Sequence, residues 1–156
     1  MKRLLPMCAL MLALLVPAHS LGASDSMSSP AAKRGEFGIY FQYLHKANGV
    51  VTKVFNFQFE NVLMTCDTGG PFNTKTPGTF GNPNNQSGFG PMKVKDKEFH
   101  KRFPTDNAKR GGGSVKITGE WKAHYSKAVG TLRVKGDYPG VPASGCDSGK
   151  LLWTTE

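Results

Sequence analysis

Apolar and polar residues alternate along most of the chain, and this period of two predicts β-strands. In the segment "EFGIYFQY", one face carries Phe37, Ile39, Phe41 and Tyr43. No stretch keeps the period of an amphipathic helix over three turns. The ordered part of the chain is therefore expected to begin at Glu36 and to be all-β.

The next two predicted strands flank a turn signal. Asn48-Gly49 is typical of a tight hairpin turn. After it, "VFNFQF" places Phe55, Phe57 and Phe59 on one face, and "NVLMTC" continues the strand pattern. The pattern predicts a hairpin whose second strand buries three phenylalanines.

The clearest alternation lies in the last third of the chain. The segment "SVKITGEWKA" directs these residues inward: Val115, Ile117, Gly119, Trp121 and Ala123. The segment "GTLRVKG" repeats the pattern with Leu132 and Val134 inward and the basic residues between them outward. The final "KLLWTT" places Leu151 and Trp153 on one side.

Strands with one apolar face need a second layer to cover that face. About seven or eight short strands fit a chain of this length, which favours two sheets packed face to face. We therefore predict one antiparallel β-sandwich of jelly-roll or immunoglobulin-like type over residues 36–156. A small closed β-barrel is the alternative.

Residues 67–91 interrupt the strand pattern. They contain six Gly, four Pro and four Asn among 25 residues. Such a composition disfavours a central strand, because Pro lacks a ladder donor and Gly is costly to order. We predict a long surface loop, partly packed on the sandwich through Phe72, Phe80 and Phe89.

The N-terminal residues have the pattern of a secretory signal peptide. Two basic residues precede "LLPMCALMLALLV", an apolar run too short to span a bilayer comfortably. Small residues predict cleavage after Ser20 or Ala23, which assigns residues 1–23 to the signal peptide. Residues 24–35 are predicted to form a flexible leader. No second apolar stretch of spanning length follows, so we expect a secreted chain without membrane insertion.

Cysteine usage predicts one disulfide. Cys8 lies in the predicted signal peptide, which leaves Cys66 and Cys146 in the exported protein. Disulfides form and persist outside the cytoplasm, and one pair of cysteines allows one pairing. Closing a loop of about 80 residues would stabilise the fold by roughly 4–5 kcal/mol in the chain-entropy model.

An acidic turn motif follows each cysteine: Asp67-Thr68-Gly69 and Asp147-Ser148-Gly149. Paired motifs of this kind are typical of aspartic proteases, in which two carboxylates share one proton. Only seven residues follow Gly149, which leaves no chain for a second lobe. Asp and Gly also form turns well. We predict two turns beside a disulfide, with no catalytic residue, metal site or cofactor; an uncharacterised hydrolase is the weakest alternative.

Positive charge is the remaining candidate for function. Lys2 and Arg3 account for two of the 20 basic residues, and the other 18 exceed the 11 acidic residues by seven. This positive charge could bind a polyanion, or it could only keep the protein soluble. Nucleic acid is not expected as the partner of an exported protein. The candidate anion-binding residues are Lys93, Lys95, Lys97, Lys101 and Arg102. The first three are spaced two residues apart, so they would share one face of a strand. They could form a stripe that binds an anionic polymer, or they could protect an edge strand from pairing with another strand.

Exposed aromatic residues give a second candidate surface. Tyr40, Tyr125 and Tyr138 are possible contacts for sugar rings, and Trp121 could join them. The place of Trp121 in the alternation favours the core instead.

Three segments of the last third, "SVKITGEW", "AVGTLRVKG" and "GCDSGKLLWT", occur in one order, and the last has the pattern C-x-[ST]-G-x-x-x-W. Together with "FNFQFENVLMTC", they resemble a family of small secreted bacterial proteins of actinobacterial type. The resemblance covers roughly residues 50–155. It implies a β-sandwich, export and paired cysteines, and it implies no activity.

These observations predict a secreted, non-enzymatic binding domain for carbohydrate or an anionic cell-envelope polymer. A protein-interaction or inhibitor domain that presents the loop at 67–91 is the alternative. The salt dependence of binding distinguishes these two hypotheses, because binding to a polyanion through lysines weakens steeply as ionic strength rises, whereas a mainly apolar protein contact weakens much less.

Overall fold

The computed structural model describes residues 23–29, 37–68, 72–74, 88–104, 113–137 and 144–156. These ranges contain strands β1 to β11 and one short 3-10 turn. The strands are β1 (Ala23–Ser28), β2 (Gly38–His45), β3 (Val51–Glu60), β4 (Val62–Met64), β5 (Phe72–Thr74), β6 (Met92–Lys93), β7 (Glu98–Pro104), β8 (Ser114–Lys122), β9 (Lys127–Gly136), β10 (Cys146–Asp147) and β11 (Leu151–Thr154).

Two antiparallel sheets lie face to face. The first sheet has the strand order β1-β2-β3-β6, and the second has the order β10-β9-β8-β7, with β11 also paired to β9. Strands β4 and β5 form a separate antiparallel ribbon. Within the described residues the two sheets do not close into one another, so the predicted β-sandwich is confirmed and the closed alternative is not.

Phe41 of β2 lies in the core between the two sheets. Its ring centroid is 5.7 Å from that of Phe57 in the same sheet. In the opposite sheet it is 5.8 Å from Trp121 and 6.0 Å from Trp153, both in edge-to-face geometry. Most inward positions predicted for β8, β9 and β11 are confirmed as buried: Val115, Ile117, Gly119, Trp121, Leu132, Val134 and Trp153. Leu151 of β11 is only half-buried and packs against the same core.

One predicted face is wrong because β3 contains a β-bulge. Asn56 has a φ of +49°, and the pairing between β2 and β3 shifts beside it. An extra residue reverses the alternation of a strand. Val54 and Phe57 consequently face the core, whereas Phe55, predicted to share a face with Phe57 and Phe59, lies outside the buried cluster.

The alternation of β8 ends one residue earlier than predicted. Ala123 is exposed and starts a left-handed turn. Positive φ angles of 42°, 55° and 69° follow one another at Ala123, His124 and Tyr125. This turn reverses the chain into β9, so Ala123 cannot continue the inward face of β8.

The predicted flexible leader is in part a strand, which corrects the prediction for residues 24–28. Every residue of β1 pairs with β2. Ser29, only 4% exposed, follows the strand, and its Oγ accepts a hydrogen bond of 3.0 Å from the Ile39 amide. Met27 packs against the core. Backbone hydrogen bonds to an open sheet edge therefore order a segment whose side chains are mostly polar; residues 30–36 lie outside the described ones.

The segment predicted as one long loop contains regular structure. Residues Phe72–Thr74 form β5 and pair with β4. Phe89 is 1% exposed and stacks on Phe59 at 5.9 Å, which confirms packing for that phenylalanine. Phe80 and residues 1–22 of the predicted signal peptide lie outside the described residues, whereas residue 23, the last of that prediction, begins β1. None of the described helical structure is long and apolar enough to cross a membrane.

Candidate functional site

Asp67 and Asp147, the first residues of the two acidic motifs, lie on opposite sides of the predicted disulfide, because the segments around the two cysteines pair antiparallel. Cys66 and Cys146 are bonded across a sequence separation of 80 residues. On one side of the bond, Thr65 and Asp147 exchange backbone hydrogen bonds of 3.0 and 2.8 Å. On the other, the Asp67 amide donates to the Ser144 carbonyl at 3.0 Å. Residues 65–68 and 144–147 are thus two paired segments around one covalent link.

Asp147 forms the predicted turn and also holds two cations. The Gly149 amide donates to Asp147 Oδ1 at 2.9 Å, and Gly149 has a φ of +65°. Lys135 Nζ lies 3.0 Å from Asp147 Oδ2. Hydrogen bonds from Arg133 hold the pKa of Asp147 well below its usual range; partial burial opposes this shift, and Lys135 and the Gly149 amide reinforce it. The carboxylate is therefore ionised, unlike the shared-proton pair of an aspartic protease.

Four cations lie together on the outer face of the second sheet, three of them aligned across neighbouring strands. In the strand register, Arg102 of β7 is opposite Lys116 of β8, and Lys116 is opposite Arg133 of β9. Lys135 follows Arg133 on the same face of β9 and is opposite Ser114. We call Arg102, Lys116, Arg133 and Lys135 the basic row. Its members and Ser114 line a shallow depression of about 270 Å³.

The basic row has fewer counter-ions than cations. Arg133 and Lys135 share the carboxylate of Asp147. Arg102 and Lys116 form no ion pair with any residue in the described part of the chain. Like charges directly opposite in a sheet are destabilising, so the fold carries an electrostatic cost here.

The same face carries charges of both signs toward the other end of the strands. Glu98 is opposite Glu120 in the register, and Glu120 forms an ion pair with Lys122. Between this end and the basic row, Thr118 and Thr131 join their hydroxyls at 2.8 Å. This end of the face therefore mixes carboxylates with lysines, because Lys122 lies opposite Lys127 beyond Glu120.

The predicted lysine stripe does not form, because the strand is shorter than the alternation implied. β6 ends at Lys93, and Lys95 pairs with Glu98 through a two-residue turn. The turn residues Asp96 and Lys97 have φ angles of +50° and +67°. Lys97 thus lies in the turn and does not share a strand face with Lys93.

The five predicted anion-binding residues divide among three surfaces. Lys93, Lys95 and Lys101 line one groove of about 630 Å³. Lys97 lies beside a different depression, next to Tyr125. Arg102 belongs to the basic row. Lys93 lies on β6, the edge strand of the first sheet, as the edge-protection interpretation predicts. Lys101 and Arg102 lie on β7, the edge strand of the second sheet.

The predicted aromatic contacts are not assembled into one surface. Tyr40 stands between the buried residues Ile39 and Phe41 in β2. Because successive side chains of a strand point to opposite faces, Tyr40 lies on the outer face of the first sheet. Tyr125 lies in the turn after β8, with its ring 5.9 Å from that of Trp121. Trp121 is 1% exposed, which confirms its place in the core. Tyr138 lies outside the described residues.

Sequence reasoning did not single out Lys116, Arg133 and Lys135 as candidate site residues. The alternation indicated that they face outward. It did not give the register between β7, β8 and β9, and the register is what aligns them with Arg102.

Comparisons with known protein families, with curated proteins and with solved structures find no match to this chain. The resemblance to small secreted bacterial proteins therefore stays a prediction. Within the described ranges, no group of three His, Cys, Asp or Glu side chains is placed to hold a metal ion.

Proposed function

We propose that the chain is an exported, non-catalytic domain that binds an anionic polymer of the cell envelope or its surroundings through the basic row. The alignment of Arg102, Lys116 and Arg133 is the observation that carries the proposal. An anionic polymer would supply the negative charge that this part of the sheet lacks. The disulfide between Cys66 and Cys146 suits an oxidising compartment.

The geometry favours an extended ligand. The cations stand on three neighbouring strands, which lie about 4.8 Å apart in a sheet, so a line of negative groups crossing the strands would meet each cation in turn. The surface is shallow, and Arg102, Lys116, Arg133 and Lys135 are all exposed. A flexible polymer fits such a surface without entering a deep pocket.

Binding of fluorescent dextran sulfate, with neutral dextran as a control, tests the proposal. We expect Lys116→Gln and Arg102→Gln each to weaken binding by about fivefold at low salt. Lys127→Gln is the matched control, because it removes the same charge from the far end of β9, about 20 Å from Arg133. Binding of the unchanged protein should also weaken steeply as salt is raised.

Two results would overturn the proposal. One is no binding of dextran sulfate by the unchanged protein at low salt. The other is an equal loss of affinity in Lys116→Gln and Lys127→Gln, since this would show attraction to net charge without a particular surface.

A further inference from the structure

A groove between the edges of the two sheets contains cations and carboxylates together. Its volume is about 630 Å³, and it lies between β6 of the first sheet and β7 of the second. The charged and titratable residues that line it are Lys93, Lys95, Asp96, Glu98, His100 and Lys101. Pro91 and Met92 add a small apolar part to the wall.

Short contacts fix the walls of this groove. The Lys95 amide donates to the Glu98 carbonyl at 2.9 Å, and the Glu98 amide donates back at 2.8 Å. Lys101 Nζ lies 3.4 Å from the Pro91 carbonyl oxygen and 5.0 Å from the Phe103 ring centroid. The groove is thus a preformed feature of the junction between the sheets.

The groove continues onto the face that carries the basic row. Glu98 and His100 line both the groove and a depression of about 350 Å³ on the outer face of the second sheet. Lys101 lines the groove, and the next residue, Arg102, belongs to the basic row. A polymer bound across β7 would therefore contact both surfaces.

The carboxylates in this groove discriminate between classes of anionic polymer. Asp96 and Glu98 form no side-chain ion pair with the residues that the structure describes. A polyphosphate offers only acceptors and negative charge, so these carboxylates would repel it. A sugar that carries both a carboxylate and hydroxyl groups complements the groove, because its carboxylate pairs with lysine and its hydroxyls donate to Asp96 and Glu98.

We infer that the groove binds an acidic polysaccharide built from carboxylate-bearing sugars. This inference rests on the proposed function and specifies its ligand class. The lysines also protect the open edges of β6 and β7. Edge protection alone would give no preference between anionic polymers, so the two roles are distinguishable.

Binding of oligogalacturonate and of linear polyphosphate, measured at one ionic strength, tests the inference. We expect Glu98→Gln to weaken oligogalacturonate binding by about fivefold, because it loses a charged acceptor for sugar hydroxyls, and to tighten polyphosphate binding by about twofold. Asp96→Asn should act in the same directions. Glu60→Gln is the matched control: it removes a carboxylate at the end of β3 that lines neither the groove nor the depression on the outer face of the second sheet, and it should weaken neither polymer. Unchanged melting temperatures would establish that the variants are folded.

The outcomes separate the two proposals. Opposite signs for the two polymers in Glu98→Gln support the polysaccharide inference. Tighter binding of both polymers by Glu98→Gln overturns it and leaves the proposed function standing. Failure of the unchanged protein to bind either polymer, or dextran sulfate, at low salt overturns both.

Discussion

The guanidinium of Arg133 donates two hydrogen bonds to the carboxylate of Asp147, from Nε to Oδ1 at 2.9 Å and from the terminal nitrogen to Oδ2 at 2.5 Å. Asp147 directly follows Cys146, whose disulfide joins β10 to the segment around Cys66. The covalent link therefore also fixes the acidic partner that positions one end of the basic row.

The contribution of this ion pair to stability should depend on pH. The folded-state pKa of Asp147 is below its unfolded value, so its stabilisation is present above the unfolded value of about 3.9 and is lost as pH falls toward the folded value. We predict that Asp147→Asn lowers the melting temperature by roughly 2–4 °C at pH 7. The difference from the unchanged protein should shrink between pH 4 and pH 2. A constant difference across this range would contradict the assignment.

The disulfide should be a major contributor to stability. Replacing both Cys66 and Cys146 by Ser is expected to lower the free energy of unfolding by roughly 4–5 kcal/mol, because the unfolded chain loses an 80-residue loop constraint. Urea denaturation with and without a reductant measures the effect. The reductant should destabilise the unchanged protein but not the double variant. If the double variant loses less than about 1 kcal/mol of unfolding free energy, the disulfide is not a major contributor to stability.

The basic row should lower the stability of the unbound protein. Lys116 lies between Arg102 and Arg133 in the register. Lys116→Gln is therefore predicted to raise the free energy of unfolding by roughly 0.2–1 kcal/mol at low salt, in addition to weakening polymer binding. The gain should disappear near 1 M salt, where the screening length is about 3 Å. A loss of stability at low salt would show that Lys116 has a structural role.

The N-terminal strand gives a prediction with a close control. Ser29 is 4% exposed and accepts the Ile39 amide hydrogen bond through Oγ. Ser29→Ala should cost about 1–3 kcal/mol, because a buried N–H loses its partner. Ser24→Ala, at an exposed position of β1, should change the free energy of unfolding by less than about 0.5 kcal/mol. Equal effects of the two substitutions in urea denaturation would contradict an ordered N-terminal segment.

The alternation of apolar and polar residues predicted the sandwich and most inward positions, because a strand with one buried face places an apolar residue at every second position. It failed where the backbone departs from a regular strand. The bulge at Asn56 moved Phe55 off the inward face, and the turn at Asp96-Lys97 broke the lysine stripe. β1 was missed because its order comes from backbone pairing with β2, which polar side chains do not indicate.

The candidate site was only partly predictable for a related reason. Arg102 was singled out within a local cluster of charge, whereas its cross-strand partner Lys116 follows 14 residues later in the chain. Which charges face each other depends on strand register, and register is set by the folded core. Pairing of the two cysteines was predictable because only one pairing was possible.

Amide chemical-shift mapping during titration with short dextran sulfate chains tests whether the basic row is the surface that binds the polymer. The largest, salt-sensitive changes are expected at Arg102, Lys116 and Arg133, on three neighbouring strands of the second sheet. Changes centred instead on Tyr40 and the outer face of the first sheet, or no changes at low salt, would contradict binding through the basic row.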